Sequence, residues 1–562
     1  MTSRWCAVCM ALCGAATFFI GDAAAGVGHD ATVVADRPNI IFLMVDDERR
    51  KRQNFLAEGR DENGRPLNIT PHLDRLAAEG TVLPRAYAAT PVCIPSRFAC
   101  LTGTYPSRAQ NREARRCFEQ HGYPMPGQNT HILPETQMLP KLLKRAGYFT
   151  GAVGKNHVVE VHGFEKHPAA ARGNQPETLA RMQRNHDAVQ RAFYNAGFDY
   201  ADRLYHDNLH GNQPRGMRVH NLDWITDGAL EFIDRAGDRP FFLYFASTTP
   251  HGSPGDMSWK ANRKVTSRGY LDEPLNLLMS EVEIRRKMEA AGMDPDEDGG
   301  RAGVQMLLDD ALGRLFAKLE AAGKLDNTVI AYFNDHGKEG SKADLYESAM
   351  RSSAVFWGPG VDIAAARRDD TLTSNVDFAP TFLRMAGLAP ASLQDTVLDG
   401  VDLTPMLRGD TDRVRDTVYG EIGYARAVVG ARFKYIALRP SEYAQNVPHQ
   451  DQQKILNRWF ARRDRLGLPR GPNKVGDPYP HIFNMPGGSD NNWPGMRKYP
   501  HYFDQDQLYD LESDPQEQVN LADNPAYAED LARMRRELSA VVSTLPGTFG
   551  EFSRAFDSGQ TE

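Results

Sequence analysis

The run Asn39-Ile40-Ile41-Phe42-Leu43-Met44-Val45 is apolar without alternation and stops abruptly at Asp46-Asp47. A strand that is hydrophobic on both faces has to be covered on both faces, which is the condition of an interior strand in a parallel sheet. Its acidic end then lies at the carboxyl edge of the sheet, where open α/β sheets bind their ligands. The same pattern of apolar strand and polar tip recurs twice. Ala331-Tyr332-Phe333 closes on Asn334-Asp335-His336, and Phe241 to Phe245 leads to Pro250-His251.

Helical patterns separate these strands, the clearest being Val304, Leu307, Leu308, Ala311, Leu312, Leu315 and Leu319, closed by Gly323. Pro140 marks a helix start, because its fixed φ suits a first turn. Alternating strands and helices predict an α/β fold. With 562 residues, 41% of them hydrophobic, the chain can bury one large core and a second, smaller one. The second begins after about Gly409, where Ala427-Val428-Val429, Phe433 to Ile436 and Leu508 to Leu511 read as short antiparallel strands, followed by a helix from Tyr527 to Val542. Three stretches read as loop-rich: Gly163 to Asn221, Ser253 to Ala302, and Pro440 to Asp504 with a short helix near Ile455 to Arg462.

A net charge of -7 without long like-charge runs gives no footprint for nucleic acid and no basic face for a membrane. Arg4, an apolar stretch from Trp5 to Ile20 and then Ala23-Ala24-Ala25 follow the order of a secretory signal peptide, residues 1–25. The apolar stretch is shorter than the ~20 residues that span a bilayer, so no span is expected once the signal is removed. Cys6, Cys9 and Cys13 leave with it, and Cys93, Cys100 and Cys117 remain.

One of these three opens the sharpest motif, Cys93-Ile94-Pro95-Ser96-Arg97, continuing to Leu101-Thr102-Gly103. It resembles the signature of the formylglycine-dependent sulfatases, in the alkaline-phosphatase-like superfamily, at every fixed position. Gly154-Lys155-Asn156-His157 resembles their second signature, with Asn156 where the family usually has Trp. Asp46-Asp47 and Asp335-His336-Gly337 match the family's metal segments, Pro250-His251 its P-H segment, and Lys342 to Glu347 its K-x-x-x-Y-E segment.

The resemblance implies a large mixed, mostly parallel sheet sandwiched by helices over residues 36–409, and a smaller C-terminal α+β subdomain with a long loop insertion over 410–562. It implies that a maturation enzyme converts Cys93 to formylglycine, whose hydrated aldehyde attacks sulfur. Asp46, Asp47, residue 93, Asp335 and His336 would hold a divalent cation. Hard oxygen ligands favour calcium, with magnesium as second choice. Lys155 would steady the sulfuryl oxygens, His251 or Lys342 would protonate the leaving alcohol, and His157 would help the second hydroxyl expel sulfate. Arg97 would hold the hydrate and the metal carboxylates with its fork.

The implied partner is a sulfated small molecule or glycan, met in a secreted or periplasmic location. Arg458, Arg462, Arg463 and Lys474 suit anionic sugar groups, and Trp459 and Trp493 offer stacking faces at a pocket mouth. Once Cys93 is converted, Cys100 and Cys117 are the thiols left to pair, if their geometry permits. Two rivals stay open: a phosphodiester or phosphonate ester hydrolase of the same superfamily, and a binder of sulfated glycans without turnover.

Overall fold

The structure is a computed structural model. It describes residues 37–251, 259–359, 363–388, 390–465, 470, 474–475 and 493–553. The expected signal peptide, with Cys6, Cys9 and Cys13, lies outside the described residues.

In chain order the strands are β1 (Asn39–Val45), β2 (Thr81–Tyr87), β3 (Phe149–Lys155), β4 (Tyr200–Tyr205) and β5 (Phe241–Ala246). There follow a short hairpin, β6 (Val265–Thr266) and β7 (Gly269–Tyr270), and then β8 (Thr328–Asn334), β9 (Arg351–Trp357), β10 (Arg367–Arg368) and β11 (Thr373–Ser374). The main sheet has nine strands in the order β10-β2-β9-β8-β1-β5-β3-β4, with β11 also paired to β2. Strands β8, β1, β5, β3 and β4 run parallel, and β9 is antiparallel to both neighbours. This is the mixed, mostly parallel sheet expected.

Strand β1 shows why an unbroken apolar run was needed. Ile40, Phe42 and Met44 enter one core cluster and Ile41, Leu43 and Val45 another, because successive side chains leave opposite faces. On the first face lie the helices Cys93–Thr102, Leu139–Arg145 and Phe378–Met385, through Phe98, Leu142 and Phe382 among others. On the second lie Pro71–Glu79, Leu222–Ala236 and Arg301–Ala321, through Leu76, Phe232 and Leu308. Each such side chain contributes roughly 1.5–3 kcal/mol on burial.

A separate antiparallel sheet follows Gly409, with order β12 (Val418–Ile422), β13 (Ala425–Val429), β14 (Phe433–Leu438) and β15 (Asp506–Asp510). The helix Ala528–Val542 covers it with Met534, Leu538 and Val542. The sequence reading missed β12, because Gly420 and Glu421 interrupt its apolar pattern. Glu421 is buried all the same, and its carboxylate accepts the Ser107 backbone N–H at 2.7 Å.

The stretch 163–221 is not a run of loops. It holds the 20-residue helix Pro176–Asn195 and the edge strand β4. The buried face of that helix mixes Thr178, Asn185 and His186 with Met182, Val189 and Phe193, so its apolar periodicity is weak. Likewise 253–302 contains the hairpin β6–β7 and the helix Glu281–Ala290, started by a Ser280/Glu283 capping box. The short helix expected near Ile455 is 17 residues long, His449–Arg465.

Cys100 and Cys117 are both buried free thiols. The first packs in the core of the main sheet and the second in the core beneath the small sheet, so the crosslink that the sequence left open does not form.

Candidate active site

Five neighbouring parallel strands, in the order β8, β1, β5, β3, β4, bring their carboxyl ends to one edge of the main sheet. Asp46-Asp47 leaves β1, Asp335-His336 leaves β8, Lys155 closes β3 with His157 two residues on, and His251 follows β5. Gly154 makes the end of β3 possible. It sits at a register shift with φ 90, and a Cβ there would come within 1.9 Å of the Ala246 carbonyl oxygen.

Cys93 stands in the first turn of the helix Cys93–Thr102, whose N-cap residue, Val92, supplies no side-chain cap. The positive end of the helix is therefore directed at the site, an environment that favours an anion. Lys342 Nζ lies 3.2 Å from Cys93 Sγ, Asp46 Oδ1 3.5 Å and His336 Nε2 3.6 Å. Burial pushes the thiol far above its ordinary value, and Lys342 only partly offsets this.

The acidic residues meet around it. Asp46, Asp47, Cys93 and His251 offer ligand atoms within 4.8 Å of one another, and so do Cys93, Asp335 and His336. His336 Nε2 is 3.2 Å from Asp47 Oδ1 and 3.5 Å from Asp335 Oδ1, with its Nδ1 2.7 Å from the Gly337 carbonyl oxygen. Mutual repulsion among three carboxylates is relieved in part by the chain's own cations. Lys155 pairs with Asp46. Asp47 is 2.6 Å from Lys342 Nζ, 3.2 Å from Lys338 Nζ and 3.6 Å from His251 Nε2. Arg97 donates to the Tyr244 hydroxyl at 3.0 Å and aims Nη2 at Asp46 and Asp335, 3.5 and 3.7 Å away.

Burial pushes the Asp46 carboxyl up, but Lys155, His251 and Arg97 outweigh it and hold it well below the carboxylate range. Burial works the same way on Asp47, where Lys342, Lys338 and His251 prevail. Asp335 differs. Burial and then the Asp46 charge raise it against His336 and Arg97, and its Oδ2 has no hydrogen-bond partner among the described residues. A wholly buried carboxylate oxygen without a donor fits a cation ligand. The donor set of carboxylates, one imidazole and residue 93 suits such an ion.

The ten residues expected to carry catalysis or hold the metal lie at this edge. Four further residues, which the sequence did not disclose, also belong to it. Asp207 and Asn208 follow β4: Asp207 Oδ1 is 2.6 Å from His157 Nε2, and Asn208 Oδ1 accepts from Lys155 Nζ at 2.7 Å. Lys338 flanks Asp47, and Tyr244 anchors Arg97. Tyr244 is hidden inside an apolar strand, and Asp207-Asn208 follow a strand that reads as loop. Asn156, in the place of the family's Trp, turns inward. Its side chain accepts the Val158 and Val159 N–H groups at 3.3 and 2.8 Å and donates to the Val159 carbonyl, closing the turn that carries His157 at φ 55.

The family model described as Sulfatase matches residues 38–388. The chain belongs to the sulfatase family. This sulfatase chain is 30% identical to the N-acetylgalactosamine-6-sulfatase of Mus musculus over 411 residues, 66% of each protein, so just under two thirds of that relative's length is spanned. It is 25% identical to the ulvan-active sulfatase of Formosa agariphila over 526 residues, 91% of this chain and 75% of the relative. Its fold is also that of the phosphonate monoester hydrolase of Agrobacterium radiobacter, with a TM-score of 0.53, 17% identity, and coverage of 90% of this chain and 96% of that one. The fold alone therefore does not choose between sulfate and phosphonate esters. Among the described residues no helix is long and apolar enough to cross a membrane.

Proposed function

We propose that this chain is a secreted or periplasmic sulfatase that hydrolyses a sulfate ester on a carbohydrate, with Cys93 converted to formylglycine and a calcium ion at the acidic cluster. The observation that carries the reading is the setting of Cys93: a fully buried thiol at a helix N-terminus, 3.2 Å from an ammonium and 3.5 Å from a carboxylate. Left as a thiol, it sits where burial disfavours its ionised form. Oxidised to a hydrated aldehyde by a maturation enzyme, it offers hydroxyls in a place built for an anion.

The residues divide the work by position. Asp46, Asp47, Asp335, His336 and residue 93 would hold the ion, which would supply a Lewis acid to a sulfuryl oxygen. Arg97, locked between Tyr244 and two carboxylates, keeps Asp46 and Asp335 in place. Lys155 and Lys342 supply fixed positive charge around the sulfuryl group. His251, whose side chain keeps 21% of its surface exposed against 4% for Lys342, is the more accessible of the two groups for protonating the leaving alcohol. His157 accepts the proton of the second hydroxyl. In this reading residues 36–409 carry the chemistry, and residues 410–562 brace it.

The carbohydrate substrate is supported by the activities named for the mouse and Formosa relatives. It also draws on a cavity of about 350 Å³ lined by Ile94, His131, His157, Glu160, His206 and Asp207. His131 Nδ1, Glu160 Oε2 and His206 Nδ1 are buried there without hydrogen-bond partners among the described residues, a set of donors and acceptors suited to ring hydroxyls. The test is parallel turnover of N-acetylgalactosamine 6-sulfate, 4-nitrophenyl sulfate and a 4-nitrophenyl phosphonate monoester by protein matured with a formylglycine-generating enzyme. Preference for the sulfates by kcat/KM supports the reading, and preference for the phosphonate overturns it.

A further inference from the structure

The tripeptide His206-Asp207-Asn208, on the carboxyl end of β4, grips the second signature at three points. The His206 carbonyl accepts the His157 N–H at 3.0 Å, Asp207 Oδ1 lies 2.6 Å from His157 Nε2, and Asn208 Oδ1 takes Lys155 Nζ at 2.7 Å. The Asp207 carboxylate is itself fixed, since Oδ1 also accepts the Asn208 backbone N–H at 2.5 Å. His157 is 5% exposed, and its Nδ1 is buried with no hydrogen-bond partner among the described residues.

We infer that Asp207 is a positioning residue for His157: it holds the imidazole as the Nε2–H tautomer and so leaves the lone pair on Nδ1, making Nδ1 the basic atom. An ionised carboxylate only accepts hydrogen bonds, so the nitrogen facing it must carry the proton, and the neutral ring then has one acceptor left. Burial would raise Asp207, but the hydrogen bond from His157, the Lys155 charge and the Asn208 N–H act against it and hold it well below the carboxylate range, so it stays ionised. His157 is pushed down to about 4, by burial first, against Asp207, so the ring is neutral at neutral pH.

The catalytic consequence rests on the function proposed above. The O–H bond of the second hydroxyl at position 93 breaks and its proton goes to Nδ1. The freed electron pair forms the carbonyl, and sulfate leaves with the pair of the broken C–O bond. A ring that can exchange tautomers or rotate offers Nδ1 only part of the time. Burial of the remaining contacts does not fix the tautomer, so this task falls to Asp207.

Two variants and one spectroscopic readout test this. In 15N-histidine-labelled protein, long-range 15N–1H correlation should show His157 as the Nε2–H tautomer, assigned by its loss in H157Q, whether or not Cys93 is converted. In D207N the amide can donate to Nε2, and the ring should shift to the Nδ1–H form. In matured enzyme D207N should then lower kcat by roughly 10²-fold or more, the scale of a general base, with KM changed by less than about threefold. D207E should recover both the tautomer and a large part of kcat. A wild-type ring in the Nδ1–H form, a tautomer unmoved in D207N, or a kcat unmoved once the tautomer has changed would each overturn the inference. If wild-type protein turned over no sulfate, the proposed function would fail, while the tautomer result would still decide the Asp207 contact.

Discussion

The Tyr346 ring stacks on the Tyr499 ring, with centroids 3.5 Å apart and planes inclined by 8°. Tyr346 ends the loop that carries Lys342, and Tyr499 lies just past the helix Trp493–Lys498, so the C-terminal stretch grips a loop of the active site. The Tyr499 hydroxyl also pairs with Ser348 at 2.5 Å, Lys498 Nζ donates to the Glu339 carbonyl at 3.3 Å, and the Tyr346 hydroxyl donates to Gln507 at 2.8 Å. Y499A should lower stability by about 3 kcal/mol and reduce kcat as Lys342 loses its support. Y499F should cost about 1 kcal/mol and leave most of the activity. Chemical denaturation and steady-state kinetics on both variants check this, and a Y499A enzyme with full kcat would separate the stack from the site.

Protein matured with a formylglycine-generating enzyme should carry an aldehyde at position 93, seen by peptide mass and hydrazide labelling. C93S should lose turnover at neutral pH, because serine has no second hydroxyl. Full activity in protein that keeps the thiol would contradict the mechanism.

Chelation should inactivate the enzyme and calcium should restore it. D335A removes the carboxylate whose Oδ2 has no hydrogen-bond donor among the described residues, so calorimetric calcium binding and turnover should fall together. Unchanged calcium binding in D335A would place the ion elsewhere.

Both Cys100 and Cys117 should react with a thiol reagent in denatured, non-reduced protein, and C100A/C117A should retain wild-type sensitivity to reductant. The two thiols lie in separate apolar cores. A crosslinked peptide in the non-reduced digest would refute this.

Asp309 of the Arg301–Ala321 helix accepts the backbone N–H groups of Leu73 at 2.7 Å and His72 at 3.2 Å, capping the helix Pro71–Glu79 from outside. Burial pushes its carboxyl up to about 7 from 3.8, against those N–H bonds. Between these two values the native state binds more protons than the unfolded one, so this group's contribution to stability falls as pH rises through the window. Urea denaturation from pH 4 to 7 should show a flatter pH dependence for D309N than for wild type. Identical slopes would remove Asp309 as a source.

The residues that sit on strand tips were legible in the chain alone. An apolar run has to stop where its sheet stops, and Asp46, Asp335 and His251 mark those stops. Cys93 was legible for a different reason, since its motif is contiguous and chemically distinctive. The sequence did not show which residue answers which. Asp207 and His157 are 50 positions apart and meet only because β4 lies beside β3 in the sheet. The Tyr346–Tyr499 stack depends in the same way on two sheets coming together. Cys100 and Cys117, close in sequence, face different cores. Local pattern and covalent spacing determine where strands end and which groups are reactive. Hydrogen-bond partners across strands follow from sheet order, which no local pattern encodes, so the pairing of base with carboxylate was decided by tertiary structure.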